Sequence, residues 1–373
     1  MKKLLATFLI VVIAGVAFYP LITRGAWYNN DYAHRKSHNI TGAYGAGTNY
    51  QVKIIAYKAT GTDSAGVVYL GTGVQNDFDD VRFTDNDETT SLDFYIASTT
   101  SGVSAEFWVE VADTLTSNAT IYVYYENASA TSASNGSNTF LFFDDFSGDL
   151  SKWSIDSENT DSITISSGSL RHDPDASQTK NAYSDSRART ASYQVADGAI
   201  HYKSYLGGPT NRKIHQFGFR ASGLTFTSGY AYRNQNSASD GGFFEFSGGS
   251  WTNIGGNEGP VSANTWYNMM LTASSSSFVA YRNGTQIQST TDATTAGPNY
   301  LTTHVHGVSL SAGTDYVLID DVFVRKFVGT EPAHSTWGSE ENAPAGPVGE
   351  TTQLARINNG GIRINNGKLI INQ

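Results

Sequence analysis

The sequence predicts an all-β chain built from two antiparallel sandwiches, and three observations carry that prediction. Apolar residues alternate with polar ones in short runs over most of the chain, the period of a half-buried strand. The gaps between runs are rich in Gly, Ser, Thr, Asn and Asp, the residues of tight turns. Charged residues make up only 16% of the 373 positions, against 37 glycines and 21 tyrosines, a balance that favours strands and turns over helices.

The length allows two domains with substantial cores. The net charge of −10 is spread along the chain and no Lys/Arg cluster occurs, which argues against a nucleic-acid partner. The chain has no cysteine, so no disulfide framework holds it. Large apolar cores, bound cations or assembly must do so instead.

The first segment, residues 1–25, opens with Lys2 and Lys3 and continues as LLATFLIVVIAGVAFYPLI. A basic start before a long apolar stretch is an export signal. Its 19 apolar-rich residues, 4–22, also approach the length of a membrane-spanning helix. Pro20 and the small residues Gly25 and Ala26 permit cleavage, so a cleaved signal and a retained anchor both stand. Either reading exports the protein to the extracellular space or cell surface, with the membrane touched only by this segment.

Residues 26–127 read as the first sandwich, with strands expected at Tyr50–Tyr57, 66–70, 81–84, 91–97, 105–111 and Ala119–Tyr125. Residues 128–139 (ASATSASNGSNT) read as a linker with an Asn-Gly turn signal. Residues 140–328 read as the second sandwich. It opens on FLFFDDFSGDLSKW at 140–153 and closes on YVLIDDVFVR at Tyr316–Arg325. Between them strands are expected at 162–165, 199–205, 214–220, 229–233, 242–246, 266–271, 278–282 and 306–310. Asn283-Gly284 sits between two such runs and predicts a two-residue hairpin. Residues 329–350, with Pro332, Pro344 and Pro347, read as an irregular connector. Residues 351–373 contain RINNG twice, seven positions apart, and predict a three-stranded meander. A meander that small is marginal alone and should pack on this chain or on a neighbouring copy.

Two resemblances rest on these runs. Trp27, Tyr32 to Arg35, Tyr50 to Val52, the stretch DFDDVRFTD at 77–85, Leu92 to Ile96, Phe107 to Val109 and Ile121 to Tyr125 together resemble a β-domain of unknown function found in exported microbial proteins. That family often precedes a concanavalin A-like module. Asp144-Asp145-Phe146 through Trp153, Gly168 to Leu170, Asn264 to Tyr267, Val279 to Gly284 and Ile319 to Arg325 resemble a laminin-G or concanavalin A-like jelly-roll lectin domain. The resemblance implies carbohydrate recognition or adhesion.

Asp144, Asp145, Asp320 and Asp321 are the leading metal candidates, since Ca²⁺ takes several hard oxygen ligands. The jelly-roll resemblance implies a structural Ca²⁺ joining the first and last strands. Adjacent strand residues face opposite ways, so one Asp of each pair would bind. The competing reading makes them turn formers and solvated strand ends. The acidic stretch at Asp77, Asp79, Asp80, Asp85 and Asp87 lacks the glycine and spaced Glu of an EF-hand and reads as a solvated turn. His304 and His306 alternate but have no evident third ligand for zinc.

Tyr232, Arg233 and Trp251 are the candidate glycan contacts, an aromatic and guanidinium grouping near Asn234 and Asn236. The competing reading buries these aromatics in the sandwich. No Glu-x-Asp-x-x-Glu strand motif, Gly-x-Ser-x-Gly elbow or phosphate loop occurs, and Glu245 has no partner carboxylate nearby in sequence. The sequence thus points to a surface glycan-binding protein. An extracellular fibre or surface-layer subunit, self-associating through its tail, is the alternative, and a glycoside hydrolase is the third reading.

Overall fold

The computed structural model describes residues 26–155, 162–173, 183–209, 213–222, 228–236, 241–248, 250–295, 297, 299–308, 314–344, 355–357, 360–365 and 368–371. The apolar segment 1–25 lies outside the described residues. Among the described residues no helix is long and apolar enough to cross a membrane. The chain divides into one unit spanning Tyr28–Ala343 and a second made of Met1–Trp27 with Pro344–Gln373.

In the large unit the first sandwich pairs two sheets. One contains His34–Thr41, Ala119–Tyr125 and Arg82–Thr84. The other contains Val67–Tyr69, Tyr50–Tyr57, Ser104–Val111 and Phe94–Thr100. Alternation decides which side chains go inside: Val52, Ile54 and Ala56, with Phe107 and Val109 beside them in the same sheet, face Ile121 and Val123 across the core. One pairing departs from the antiparallel expectation. Ile55 to Tyr57 run parallel to Val67 to Tyr69, and Tyr57 and Tyr69 stack at 5.2 Å.

The second sandwich has an eight-stranded and a seven-stranded sheet. Opening and closing strands pair as the sequence implied, with Phe142, Phe143 and Asp144 opposite Val324, Phe323 and Val322. The hairpin at Asn283-Gly284 forms, joining Ser277–Arg282 to Thr285–Thr291, with φ of +52° and +80° at the two turn residues. Positive φ at both central positions is the requirement that selects Asn-Gly. Between the sheets lie Trp153, Leu170, Tyr202, Phe217, Tyr232, Phe243, Leu271 and Val324, all buried.

Two expected boundaries change. Residues 329–350 were read as irregular, yet Ala333–Trp337 and Glu341–Asn342 are strands on the outer edge of His34–Thr41, with His38 opposite Trp337 and Arg35 opposite Glu341. Pro332 precedes the strand and so removes no ladder donor. The second sandwich is therefore inserted into the first, whose last strands follow it in sequence. The linker is also less free than its composition suggested. Asn135 caps the short helix Gly136–Thr139, its Oδ1 accepting from Asn138 N, and its own N–H donates to Phe94 O. A Cβ on Gly136 would lie 2.4 Å from the Phe143 ring, so the helix packs directly on the opening strand.

The two sandwiches meet through Trp108, Phe140, Phe143 and Phe323, with Tyr95 and Ala97 at the margin. Phe140 and Phe323 stack at 4.2 Å, and the Arg325 guanidinium lies 4.9 Å from the Trp108 ring. In the small unit Ala355–Ile357, Gly360–Asn365 and Lys368–Ile371 form the expected antiparallel meander. Its turn residues 358–359 and 366–367 lie outside the described residues.

Candidate functional site

The paired opening and closing strands bring the four aspartates near one another at the middle of Tyr316–Arg325, where each has a distinct environment. Asp144 is buried: its Oδ2 accepts from Trp153 Nε1 at 2.7 Å and its Oδ1 from Phe146 N at 3.1 Å. Burial raises its pKa, and those two hydrogen bonds act against the rise. Asp145 folds back on its own turn, accepting from Ser147 N and Oγ. Asp321 sits at an irregularity in the strand pairing, with φ of +46°, and pairs with Lys203. The Asp320 carboxyl is pushed up to about 6 by burial, then by the charge of Asp321, with Asp145 adding to it.

The expectation that one Asp of each pair would face a cation is set against these environments. Both oxygens of Asp144 are engaged by a tryptophan and a backbone amide, and Asp321 is neutralised by a lysine. Among the described residues no group of three or more His, Asp or Glu side chains is disposed to hold a metal ion. Asp145 and Asp320, one from each pair, each use one oxygen, Asp145 Oδ1 accepting from Ser147 and Asp320 Oδ1 from Asp321 N.

The acidic stretch of the first sandwich forms turns. Asp77 accepts from Asp79 N, and Asp87 accepts from the amides of Thr89 and Thr90 and from the Thr90 hydroxyl, which hold its carboxyl down at about 2. Asp80 is buried and accepts from Gln75 N.

The three candidate glycan contacts separate. Tyr232 points into the core, edge-on to Phe243 at 5.1 Å, and is closed to solvent. It is no ligand contact, because the strand pleat turns it inward with Tyr230. Arg233, one residue on, faces the other way. It belongs to a row running across the side of the seven-stranded sheet turned away from the sandwich core, opposite Gln216, which is opposite His304, and all three side chains are buried. With its amide oriented to suit both neighbours, Gln216 donates to His304 Nδ1 at 2.9 Å and accepts from Arg233 Nη2 and Nε at 2.8 and 3.1 Å. The Arg233 guanidinium lies 3.8 Å from the centroid of the Phe244 ring. Trp251 is half-exposed beside Phe246 at 4.6 Å, and the two pack on Ala221 and Ala231. His306 aligns opposite Ile214, two positions from His304, but its side chain lies outside the described residues.

Glu245 is the carboxylate that this sheet carries among the described side chains. It pairs across the ladder with Tyr230, whose ring is in the core, so it sits on the inner side of the sheet. It does not face the row of Arg233, Gln216 and His304, and nothing there supplies a carboxylate pair across a groove.

Inside the sandwich runs a polar chain that no local pattern in the sequence marks. Ser204 Oγ, His215 Nδ1 and Nε2, Thr303 Oγ1 and His172 Nε2 connect at 2.8, 3.2 and 3.4 Å. Burial and the nearby His304 hold His215 down at about 3, so it is neutral. All four residues are closed to solvent, and the network ties the two sheets together.

Residues 77–156 match the family described as a domain of unknown function (DUF2341). The match begins at Asp77, where DFDDVRFTD begins, and ends within the second sandwich, just past the strand Trp153–Ile155. No curated protein matches the chain. Three solved structures show similarity over about half of it. The carbohydrate-binding module CBM66 from Bacillus subtilis is 15% identical, covering 47% of this chain and 96% of its own, with a TM-score of 0.37. A β-glucanase from Bacillus licheniformis is 14% identical, covering 50% and 98%, with a TM-score of 0.39. A prokaryotic β-1,3-1,4-glucanase (lichenase) derived from a mouse hindgut metagenome is 9% identical, covering 50% and 99%, with a TM-score of 0.40.

Proposed function

We propose that this protein is a glycan-binding protein of the cell exterior whose second sandwich holds its ligand on the outer face of the seven-stranded sheet. The observation that carries the reading is the half-exposed Trp251, with the buried row Arg233–Gln216–His304 and the buried Phe244 ring as an ordered polar and aromatic floor beside it. Pre-ordered donors and acceptors flanked by an aromatic surface suit a ligand with hydroxyl edges and apolar C–H faces. The apolar segment 1–25 supports export. Among the described residues no carboxylate pair faces that row, which favours binding over hydrolysis. The test is a glycan array followed by calorimetry on wild type, Arg233→Met and Trp251→Ala. Wild-type binding that both variants weaken at least tenfold supports the reading, and binding untouched by either overturns it.

Calcium enters this proposal in reduced form, held by Asp145 and Asp320 with backbone oxygens. Its test is melting with calcium and with EDTA. A rise in Tm with calcium that Asp320→Asn removes supports it, and identical curves reject it.

A second reading, an assembly subunit, is favoured by the three-stranded meander of residues 355–371, whose two outer strands have open edges within that sheet. Deleting residues 351–373 would then reduce the particle size seen by light scattering.

A further inference from the structure

The eight-stranded sheet of the second sandwich carries a feature that the proposed face does not use. On its outer side, three aromatic rings lie in a row across three neighbouring strands. Trp266 is 5.3 Å from Tyr205 between ring centroids, and Tyr205 is 6.0 Å from Tyr316, the latter pair nearly parallel at 22°. These spacings follow from the separation of paired strands. Trp266 is 40% exposed, an unusual position for the largest apolar side chain, and the tyrosines are half-exposed. Arg171 extends the row, its guanidinium 3.9 Å from the Tyr316 centroid and fixed there by a bidentate pair with Asp173.

The local backbone makes room for the row. A Cβ on Gly207 would lie 2.4 Å from the Tyr316 ring and 2.9 Å from the Tyr205 ring. Only glycine lets these two rings lie down against the sheet between them. Along the same strands the outer face continues through Asn268 and Lys203, which are opposite each other, to Met270 and His201. There it enters a cleft of about 700 Å³ whose far wall, Tyr95, Glu106 and Trp108, belongs to the first sandwich. From Trp266 to Met270 the strand advances roughly 13 Å, at about 3.3 Å per residue. His201 faces this cleft in its neutral form, because burial and the neighbouring Arg325 hold its pKa well below the usual range.

Charge narrows the occupant. Every cation on this path has a carboxylate: Lys203 with Asp321, Lys53 with Glu106, Arg171 with Asp173, and Arg325 with Glu331. With every cation matched and the extra carboxylate of Asp320 beside Lys203, the surface gives no long-range attraction to a polyanion. It does offer fixed donors and acceptors beside flat rings.

We infer that this outer face, from the Trp266–Tyr205–Tyr316 row into the cleft between the sandwiches, is a second binding surface, for an extended neutral polysaccharide chain running along the strands. It shares the ligand class of the proposed function but uses the opposite side of the sandwich. The experiment is isothermal calorimetry with cellohexaose, xylohexaose, mannohexaose and laminarihexaose, with pull-down on microcrystalline cellulose beside it. Wild type is compared with Trp266→Ala, Tyr205→Ala, Gly207→Ala and Trp251→Ala. Because Trp266 is 40% exposed and outside the core, its alanine variant should stay folded, and a melting curve beside each titration separates binding from folding. The expected result is binding to at least one probe, weakened tenfold or more by Trp266→Ala and by Tyr205→Ala, with Trp251→Ala leaving this component intact. Binding lost with Trp251→Ala but kept with Trp266→Ala overturns this inference and leaves the proposed face standing. The reverse pattern keeps this inference and removes the proposed face. No binding to any probe overturns this surface, while the glycan array decides the other independently.

Discussion

Trp337 tests the insertion of one sandwich into the other. It closes the return strand Ala333–Trp337, stacks on His38 at 3.9 Å, donates from Nε1 to Ala65 O at 2.9 Å, and packs against the first core. The side chain is half-buried, so replacing it by alanine forfeits about half of a fully buried large residue, roughly 1.5 kcal/mol. The lost hydrogen bond adds roughly 1 kcal/mol, and the lost ring stacking about 0.5 kcal/mol. Trp337→Ala should therefore destabilise the first sandwich by about 3 kcal/mol, although residue 337 lies beyond the whole second sandwich in sequence. The assay is urea denaturation by circular dichroism with hydrogen exchange read strand by strand. Protection should fall along His34–Thr41 and stay unchanged in Tyr316–Arg325. A loss below about 0.5 kcal/mol, on the same additive bookkeeping, would refute the claim that this strand holds the first domain together.

Acid should act on the same strand. His38 is fully buried against His334, Nε2 to Nδ1 at 2.8 Å, and burial holds it down at about 3. A base with a lowered folded pKa contributes stability in full above its unfolded value of about 6.5 and loses it as the pH falls toward 3, so about 2 kcal/mol should go between pH 6.5 and 5. Exchange protection in His34–Thr41 measured at the two pH values checks this. Asp320→Asn should do the opposite of most substitutions: its raised carboxyl pKa destabilises the native state increasingly as pH rises through 4 to 6, so the variant should gain about 1 kcal/mol at pH 7, discounted for partial exposure, and nothing at pH 3.5. The Lys213–Asp315 pair, 2.9 Å apart with both side chains closed to solvent, should cost about 3–5 kcal/mol when broken by Asp315→Asn and far less when both are replaced by Met and Leu. Thermal melts of the three variants decide it.

The strands with clean alternation were legible in the sequence. Tyr50–Tyr57, Ala119–Tyr125 and Tyr316–Arg325 have the expected bounds because period two and bracketing turns leave no other register. Ala333–Trp337 was not legible, since AHSTW is mostly polar, exposed at three of five positions and preceded by proline. Its pairing depends on an edge more than 290 residues earlier in the chain, which no local pattern encodes. At the candidate site, residue type alone pointed to Tyr232, Arg233 and Trp251 together, and only the strand phase separates the buried Tyr232 from the half-exposed Trp251. Trp266, Tyr205 and Tyr316 come from three separate strands, and only the ladder brings them into one row.

The inserted arrangement also decides how the molecule bears load. The strands His34–Thr41 and Ala333–Trp337 are antiparallel neighbours, and the chain enters and leaves the large unit at the same end of this pair. Tension applied through the flanking segments falls on that pair and peels it open one hydrogen bond at a time, the weak direction of a β-ladder. The second sandwich, closed off behind the pair, stays outside the path of force. A ligand held there would remain bound while the first sandwich yields like an unfastening zip.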